Sequence, residues 1–190
     1  MIWKTIKILW VVFVTLACLQ SCDLYLYKLS NTVCASEIEV GVSADYGWPI
    51  TDKVTNSTIS IRVDKLVSDN FSVGLETDLS HLSFGKEYDN KDTSAISFCP
   101  MLKYDFLKLK NITFYGEGGF GVGFVNDSPS ERTLGHNPLG VIKAGIGAEI
   151  PISKKAKVEV GVKYNHLSSH NPGDKGVNFG GPKFGVTWRF

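Results

Sequence analysis

Two side chains near the C-terminal end of the chain have the types and spacing needed for nucleophilic catalysis. His166 and Ser168 stand two residues apart in the segment Tyr164-Asn165-His166-Leu167-Ser168. In an extended strand, residues i and i+2 present their side chains to the same face, so the imidazole could take a proton from the hydroxyl. A histidine and a serine at a polar interface, with no catalytic role, would show the same spacing. The triplet alone does not separate these two interpretations.

The other histidines and the cysteines do not form a metal-ligand pattern. The remaining histidines are His81, His136 and His170. None of them has a paired cysteine or carboxylate at ligand spacing. Of the four cysteines, only Cys99 lies beyond the first 35 residues, and we expect it to be a small packed residue. The sequence therefore predicts no metal, no cofactor and no disulfide framework.

The composition suits one ordered domain with no electrostatic preference for a charged polymer. The chain has 190 residues, 43% of them hydrophobic, with 20 Lys plus Arg against 19 Asp plus Glu; this is typical of a single folded unit. The charges of both signs are intermixed, so the clustered positive field that binds nucleic acid is absent. No apolar run beyond the N-terminus approaches the roughly 20 residues of a spanning helix. A polytopic helical membrane protein is thereby excluded.

The first 35 residues have the organisation of a secretory signal. Lys4 and Lys7 precede an apolar stretch, Ile8–Leu19, as in the charged and hydrophobic regions of such a signal. Small residues at the −3 and −1 positions predict cleavage between Ala35 and Ser36, which leaves 36–190 as the mature domain. Two alternatives stay open: a lipoprotein cysteine within the leader, and a retained anchor helix, for which the apolar stretch is short.

The mature chain alternates apolar and polar residues with period two, which is typical of strands. In the first such segment, Ile38, Val40 and Val42 share one parity, and Glu39 and Gly41 share the other. Helical periodicity is absent. The apolar parity recurs in eight segments: 38–48, 59–63, 71–79, 96–106, 112–124, 142–150, 158–164 and 184–190. The sequence therefore predicts an all-β fold of eight strands.

Alternation alone also fits a water-soluble sandwich or a lipocalin with its apolar face inward, but three observations favour the inverted arrangement. The polar parity is dense in charge and glycine, which suits a narrow eight-stranded lumen. The chain ends in Phe190, with Trp188 and Val186 on the same parity, as in the C-terminal signal of outer-membrane proteins. Aromatic residues at strand ends resemble interfacial girdles: Tyr46, Trp48, Tyr104, Tyr164 and Trp188. These features predict an eight-stranded antiparallel transmembrane β-barrel, apolar outside and polar inside.

The connections alternate in length as such a barrel requires. Short links are predicted near 67–70, 108–111 and 152–155, and longer ones near 49–56, 85–92, 125–137 and 169–176. Short turns face the periplasm and long loops face outward. Both termini are then periplasmic, and the seventh strand runs outward.

Charged residues of the polar parity are expected to neutralise one another inside the barrel rather than to perform acid–base chemistry. Glu131 and Arg132, in the longest loop, are expected to form a solvated pair rather than a clamp for a lipid phosphate. The interior charges are Glu39, Arg62, Glu76, Lys103, Glu117, Lys143 and Glu149.

The seventh strand carries its apolar parity into His166 and Ser168. Val160, Val162 and Tyr164 precede them at two-residue intervals, so both side chains should point out of the barrel. Because this strand runs outward, the pair should lie at the outer leaflet, where the lipid is lipopolysaccharide. In that position the two side chains could react only with a molecule in the membrane.

The segment around this pair, with Asn171-Pro172-Gly173 and the terminal strand after it, resembles the lipid A 3-O-deacylase (PagL) family, also described as acyloxyacyl hydrolase-like. The resemblance extends over most of the mature chain, including the glycine-rich stretch 115–123 and the loop segment 131–135. The family is an eight-stranded outer-membrane barrel with a serine hydrolase site on its lipid-facing exterior. The resemblance implies Ser168 as nucleophile, His166 as general base and later acid, and Asn171 as an oxyanion donor.

The sequence departs from the family pattern beside the site. The family commonly continues with Asn-Ala where this chain has Ser169 and His170. The loop that follows is shorter in this chain than in the family. Lys175 stands where the resemblance places the acidic member of the triad. Asp174 is the only nearby carboxylate and is the predicted acid, provided that the shorter loop shifts the register. The alternative is that the acidic member is missing.

These observations predict an exported esterase of the Gram-negative outer membrane that removes the 3-O-linked hydroxyacyl chain of lipid A. Its predicted partners are lipopolysaccharide and the membrane, without nucleic acid and without a metal or cofactor; the sequence predicts no oligomeric state. The rival class is a structural or adhesive eight-stranded barrel without enzymatic activity. A third is a small binding barrel with an internal ligand cavity.

Overall fold

The chain forms a closed barrel of eight antiparallel strands. The computed structural model describes residues 37–50, 54–85, 92–126, 134, 137–169 and 176–190. The strands are β1 (Ile38–Pro49), β2 (Val54–Ser68), β3 (Phe71–Phe84), β4 (Asp92–Leu109), β5 (Ile112–Val125), β6 (Leu139–Pro151), β7 (Ala156–Ser168) and β8 (Val177–Arg189). Each strand pairs with the next, and β8 pairs with β1. The predicted fold class is confirmed, whereas the predicted leader, residues 1–35, lies outside the described residues.

The barrel has the inverted arrangement predicted from the alternating pattern. In β2, Ile59 and Ile61 are 60% and 47% exposed, whereas Ser60 and Arg62 are 0% and 6% exposed. The outward apolar side chains would be costly in water and are favourable in lipid. Within the part of the chain that the structure describes, no helix has the length and apolar character needed to cross a membrane.

The short connections form the tight turns that the sequence predicts at one end of the barrel. Residues 69–70 and 110–111 each make a two-residue turn between paired strands, with Asn at the second position, a residue that tolerates the positive φ of hairpin turns. The link at 152–155 is closed by Ser153, whose Oγ accepts hydrogen bonds from the backbone N–H groups of Lys155 and Ala156 at 3.2 and 3.0 Å. The opposite end carries the longer connections.

Buried ion pairs fill the middle of the lumen. Glu76, fully buried, accepts hydrogen bonds from Lys143 and Lys163 at 2.9 and 2.8 Å, and Glu117 accepts from Lys183 at 2.9 Å. Charges taken out of water need such partners. The remaining predicted lumen charges also pair: Arg62 with Glu117 and Asp64, Lys103 with Glu149, and Glu39 with Lys157 and Arg189. The expected mutual neutralisation is confirmed.

The outer end of the lumen is apolar, which the alternating pattern did not predict. Inward side chains of β6, β7 and β8 form part of a buried cluster that also holds Cys99: Leu139, Val141, Leu167, Val177 and Phe179. In β7 and β8 the apolar residues at this end take the inward parity, and the polar residues His166, Ser168 and Asn178 take the outward one. In β6 both parities are apolar over 139–142. The expectation that apolar residues face outward therefore fails at this end of the barrel. The mid-lumen void beside Arg62 is only about 10 Å³, about one water in size, so this part of the barrel interior has no room for a larger ligand.

Aromatic side chains lie near both ends of the outer surface. Tyr46 and Trp48, at the outer end of β1, contact each other edge to face with ring centroids 5.9 Å apart. Tyr104 and Trp188, near the turn end, are 54% and 43% exposed. Amphipathic aromatic rings concentrate at the two membrane interfaces, so these positions mark the apolar band between them.

Candidate active site on the outer face of the barrel

His166 and Ser168 lie on the outer surface at the end of β7, as the parity predicts. Both are half-buried, whereas the alternating residues Asn165 and Leu167 are buried inside the barrel. Across the neighbouring strands, His166 stands opposite Ile142 of β6 and Asn178 of β8. Because β7 is bonded to a strand on both sides, the backbone that carries the pair is fixed.

The imidazole of His166 is held from β8 by a side-chain amide. The Nδ1 atom of His166 is 2.9 Å from Oδ1 of Asn178, and the Tyr164 hydroxyl donates to the same oxygen at 2.5 Å. An amide oxygen only accepts, so Nδ1 carries a proton, and in the neutral ring the lone pair is then on Nε2. That is the tautomer in which a histidine can serve as a general base through Nε2.

Two glycines surround the serine. Gly140 of β6 is the cross-strand neighbour of Ser168, and a Cβ added at Gly140 would lie 3.7 Å from Ser168 Oγ. Gly176 has φ of +63° and passes so close that an added Cβ would stand 2.8 Å from His166 Cε1 and 2.9 Å from Ser168 Cβ. Gly140 therefore leaves Ser168 Oγ open on one side, while only glycine fits the close approach and positive φ at 176.

Ser168 and His166 are neighbours without a direct hydrogen bond between their side chains in this structure. Residues two apart in a strand have Cα atoms about 6.6 Å apart with side chains on one face. The contact that proton transfer needs is therefore within reach of ordinary side-chain rotation. Catalytic hydrogen bonds are often long without substrate and tighten when it binds.

Two of the predicted site residues lie outside the described residues. These are Asn171, the predicted oxyanion donor, and Asp174, the predicted acid, together with its neighbour Lys175. Their roles remain predictions. Asn178 was not predicted from the sequence as a site residue, yet it occupies the Nδ1 side of His166, where a triad acid would bind. Only the register of β7 against β8 could have revealed it, because residues twelve positions apart in sequence meet across that strand pair.

Among the described residues, the remaining polar candidates contribute no second centre; Glu131, Arg132, His136 and His170 lie outside the described residues. His81 is at the outer end of β3 and lies 3.6 Å from an Asp92 carboxylate oxygen, with both side chains more than half exposed. Cys99 is fully buried in the apolar cluster. Among the residues that the structure describes, no group of three or more His, Cys, Asp or Glu side chains could hold a metal ion.

Comparison with protein families identifies the class of this barrel. A model described as "Outer membrane protein beta-barrel domain" matches residues 27–190. The chain belongs to that family. Membership in the outer membrane protein beta-barrel family points to the outer membrane of a Gram-negative cell, and it agrees with the apolar outer face and the two aromatic belts. No curated protein matches the sequence.

Several solved structures share the fold of this outer membrane protein at low sequence identity. The outer membrane enzyme PagL is similar with a TM-score of 0.61 and 17% identity, covering 77% of this chain and 97% of that one. Neisserial surface protein A is similar with a TM-score of 0.56 and 13% identity, covering 82% and 97%. E. coli outer membrane protein W is similar with a TM-score of 0.50 and 13% identity, covering 82% of this chain and 98% of that one. At these identities the likeness concerns the fold.

The outer membrane protein thus carries a polar group of side chains on a surface that is otherwise apolar. His166, Ser168, Asn178 and Tyr164 sit together at the outer ends of β7 and β8, above the exposed apolar side chain of Val162, which is 53% exposed. Chemically, the group offers a hydroxyl and an oriented base. It faces the lipid.

Proposed function

We propose that this outer membrane protein is a lipid A 3-O-deacylase-like serine esterase, acting on lipopolysaccharide in the outer leaflet. The observation that carries the proposal is the side-by-side position of Ser168 and His166 on the lipid-facing surface, with the imidazole in the tautomer of a general base. A molecule approaching this face must come from the membrane. The outer leaflet of this membrane offers an acylated glycolipid as the substrate.

The reaction follows from the two side chains. Ser168 Oγ attacks the acyl carbonyl carbon while its proton moves to His166 Nε2. Collapse of the tetrahedral intermediate breaks the ester bond, and His166 returns the proton to the departing sugar oxygen. Water, deprotonated by the same nitrogen, then attacks the acyl-serine; the Ser168 ester bond breaks, His166 returns the proton to Ser168 Oγ, and a 3-hydroxy fatty acid is released. Asn171 is the proposed donor to the oxyanion of each intermediate.

A lipid-facing groove beside the site suits an acylated substrate. The groove has a volume of about 760 Å³, and its lining includes Gly116, Gly118, Phe120 and Ile142. Ile142 is the cross-strand neighbour of both Phe120 and His166, so the groove begins one strand away from the imidazole. An acyl chain lying there would keep its carbonyl end near the outer interface.

Mass spectrometry of lipid A from a Gram-negative host that expresses the protein tests the proposal. The wild type should yield lipid A lighter by one 3-hydroxyacyl chain, and Ser168→Ala and His166→Ala should each abolish that loss. The double variant should be little worse than either single one, because nucleophile and base act as a unit.

The control is the amount of folded barrel in the outer membrane. Half-exposed interfacial side chains contribute little to stability, so both variants should insert like the wild type. Unmodified lipid A in cells that contain correctly inserted wild-type protein would reject the esterase and favour the structural or adhesive barrel.

A further inference from the structure

The amide oxygen of Asn178 is shared by two donors on the neighbouring strand. It accepts from Tyr164 Oη at 2.5 Å and from His166 Nδ1 at 2.9 Å, so both of its lone pairs are used. Tyr164, His166 and Asn178 are all half-buried and belong to the outward parity of β7 and β8. The hydrogen-bonded group therefore lies on the outer face, next to Ser168.

The surroundings leave Asn178 as the group that decides the orientation of the ring. The outward residue beside His166 on β6 is Ile142, which offers no hydrogen bond. On β8 it is Asn178 itself, and neither residue carries a charge. Within the described part of the chain, no other side chain hydrogen-bonds to the imidazole.

Histidine bases in serine hydrolases need a partner on the far nitrogen. That partner fixes the tautomer and the ring orientation, and a carboxylate partner also stabilises the imidazolium. An amide oxygen supplies the first two effects but no charge. The cysteine hydrolases that use Asn in this position establish that an amide can serve as the partner of a catalytic histidine.

We infer that Asn178, itself oriented by the Tyr164 hydroxyl, is the positioning residue of His166 in place of an acid, so that the hydrolytic group is Ser168, His166 and Asn178. The inference rests on the proposed function and replaces Asp174 in the role predicted from the sequence. Asn178 acts through His166 and does not contact the substrate. Tyr164 acts one step further away, on the amide.

Steady-state hydrolysis by the refolded full chain in detergent micelles gives the first test. Asn178→Leu removes the acceptor at similar volume and should lower kcat roughly a hundredfold or more with KM little changed, because ring orientation matters in the transition state. Asn178→Asp keeps an acceptor and should retain or raise kcat. Tyr164→Phe should lower kcat less than Asn178→Leu does. Asp174→Asn should change kcat less than about twofold if Asn178 holds the positioning role.

A readout independent of turnover comes from nitrogen NMR of labelled histidine, with the His166 signal assigned by its loss in His166→Gln. Wild-type protein and Asn178→Asp should show the proton on Nδ1. Asn178→Leu should shift the signal toward the Nε2–H tautomer, and Tyr164→Phe should give a mixture. If Asn178→Leu does not refold, Tyr164→Phe carries both measurements.

Two results would overturn the inference. One is a wild-type His166 with its proton on Nε2; the other is a steep loss of kcat in Asp174→Asn while Asn178→Leu stays near wild type. Failure of the proposed function itself would look different. Wild-type protein would then show the Nδ1–H tautomer but release no fatty acid, and the positioning role would fall with it.

Discussion

At the scale of single residues, the site depends on the absence of a side chain at Gly140 as much as on the side chains that orient His166. Gly140 lies opposite the serine and offers no side chain, so one side of Oγ stays open toward the lipid. Asn178, which accepts a hydrogen bond from the Tyr164 hydroxyl, holds the histidine from β8. An attacking hydroxyl needs both an oriented base and free access for the substrate carbonyl.

Substitution of Gly140 by a larger residue tests whether the substrate reaches Ser168 from this side. An added Cβ there makes only ordinary contacts, at 3.7 Å from Ser168 O and Oγ, so Gly140→Leu should fold normally. Its branched end would cover the hydroxyl and should lower kcat/KM roughly ten- to a hundredfold through misplacement of the ester. Ala148→Leu, on the same face of β6 but nearer the turn end, is the matched control and should behave as wild type. Equal activity of both variants would mean that the substrate does not approach past Gly140.

At the scale of the strand, the two faces of β7 have different roles: the outward face carries the candidate site, and the inward face forms ion pairs in the lumen. The outward face of β7 ends in the proposed catalytic pair, while inward Lys163 crosses the lumen to Glu76 at 2.8 Å and approaches Asp45 at 3.6 Å. The side chains of Lys163 and Glu76 are 1% and 0% exposed. The strand that carries the site is thereby tied to the far wall of the barrel.

Removing the ion pair between Lys163 and Glu76 should lower the free energy of unfolding of the barrel measurably. Lys163→Met leaves Glu76 with Lys143 and takes the nearest cation from Asp45, and the loss of one partner from a buried ion pair costs about 3 kcal/mol. Urea titration in detergent, followed by the gel shift of the folded barrel, should show a clearly lower midpoint. Glu37→Gln is the control, because its pair with Arg189 is 50% and 40% exposed and such pairs contribute about 0–1 kcal/mol. Identical midpoints for the two variants would contradict this role of Lys163.

The strands and the outward direction of the pair could be predicted from the sequence because both follow from period-two alternation. The partner of His166 could not. Alternation assigns a residue to a face but gives no register between strands, and β8 begins at Val177, seven residues before its apolar alternation becomes visible at Phe184. Val177 and Phe179 are apolar and point inward, which hides Asn178 in a segment without a clear pattern. The apolar outer end of the lumen was not predicted for the same reason.

At the scale of the whole molecule, the barrel explains why chemistry could be placed on its exterior. Buried ion pairs fill the middle of the described lumen and an apolar cluster fills its outer end, so these parts of the interior contribute rigidity. Closure between β1 and β8 extends to the last residue, where the Phe190 N–H donates to the Ile38 carbonyl at 3.0 Å. The rigid wall then presents Ser168 and His166 to the leaflet that holds the proposed substrate.

The release of 3-hydroxy fatty acid from purified lipid A by the refolded protein shows whether the barrel is a lipid A esterase with Ser168 as its nucleophile. The preparation should first show the strand-dominated circular dichroism and the heat-dependent gel migration of a folded barrel, for the wild type and for Ser168→Ala alike. Wild-type protein should release the 3-O-linked chain catalytically, and Ser168→Ala should release none above background. No release by folded wild-type protein, or equal release by the two proteins, would contradict the assignment of Ser168 as the nucleophile of a lipid A esterase.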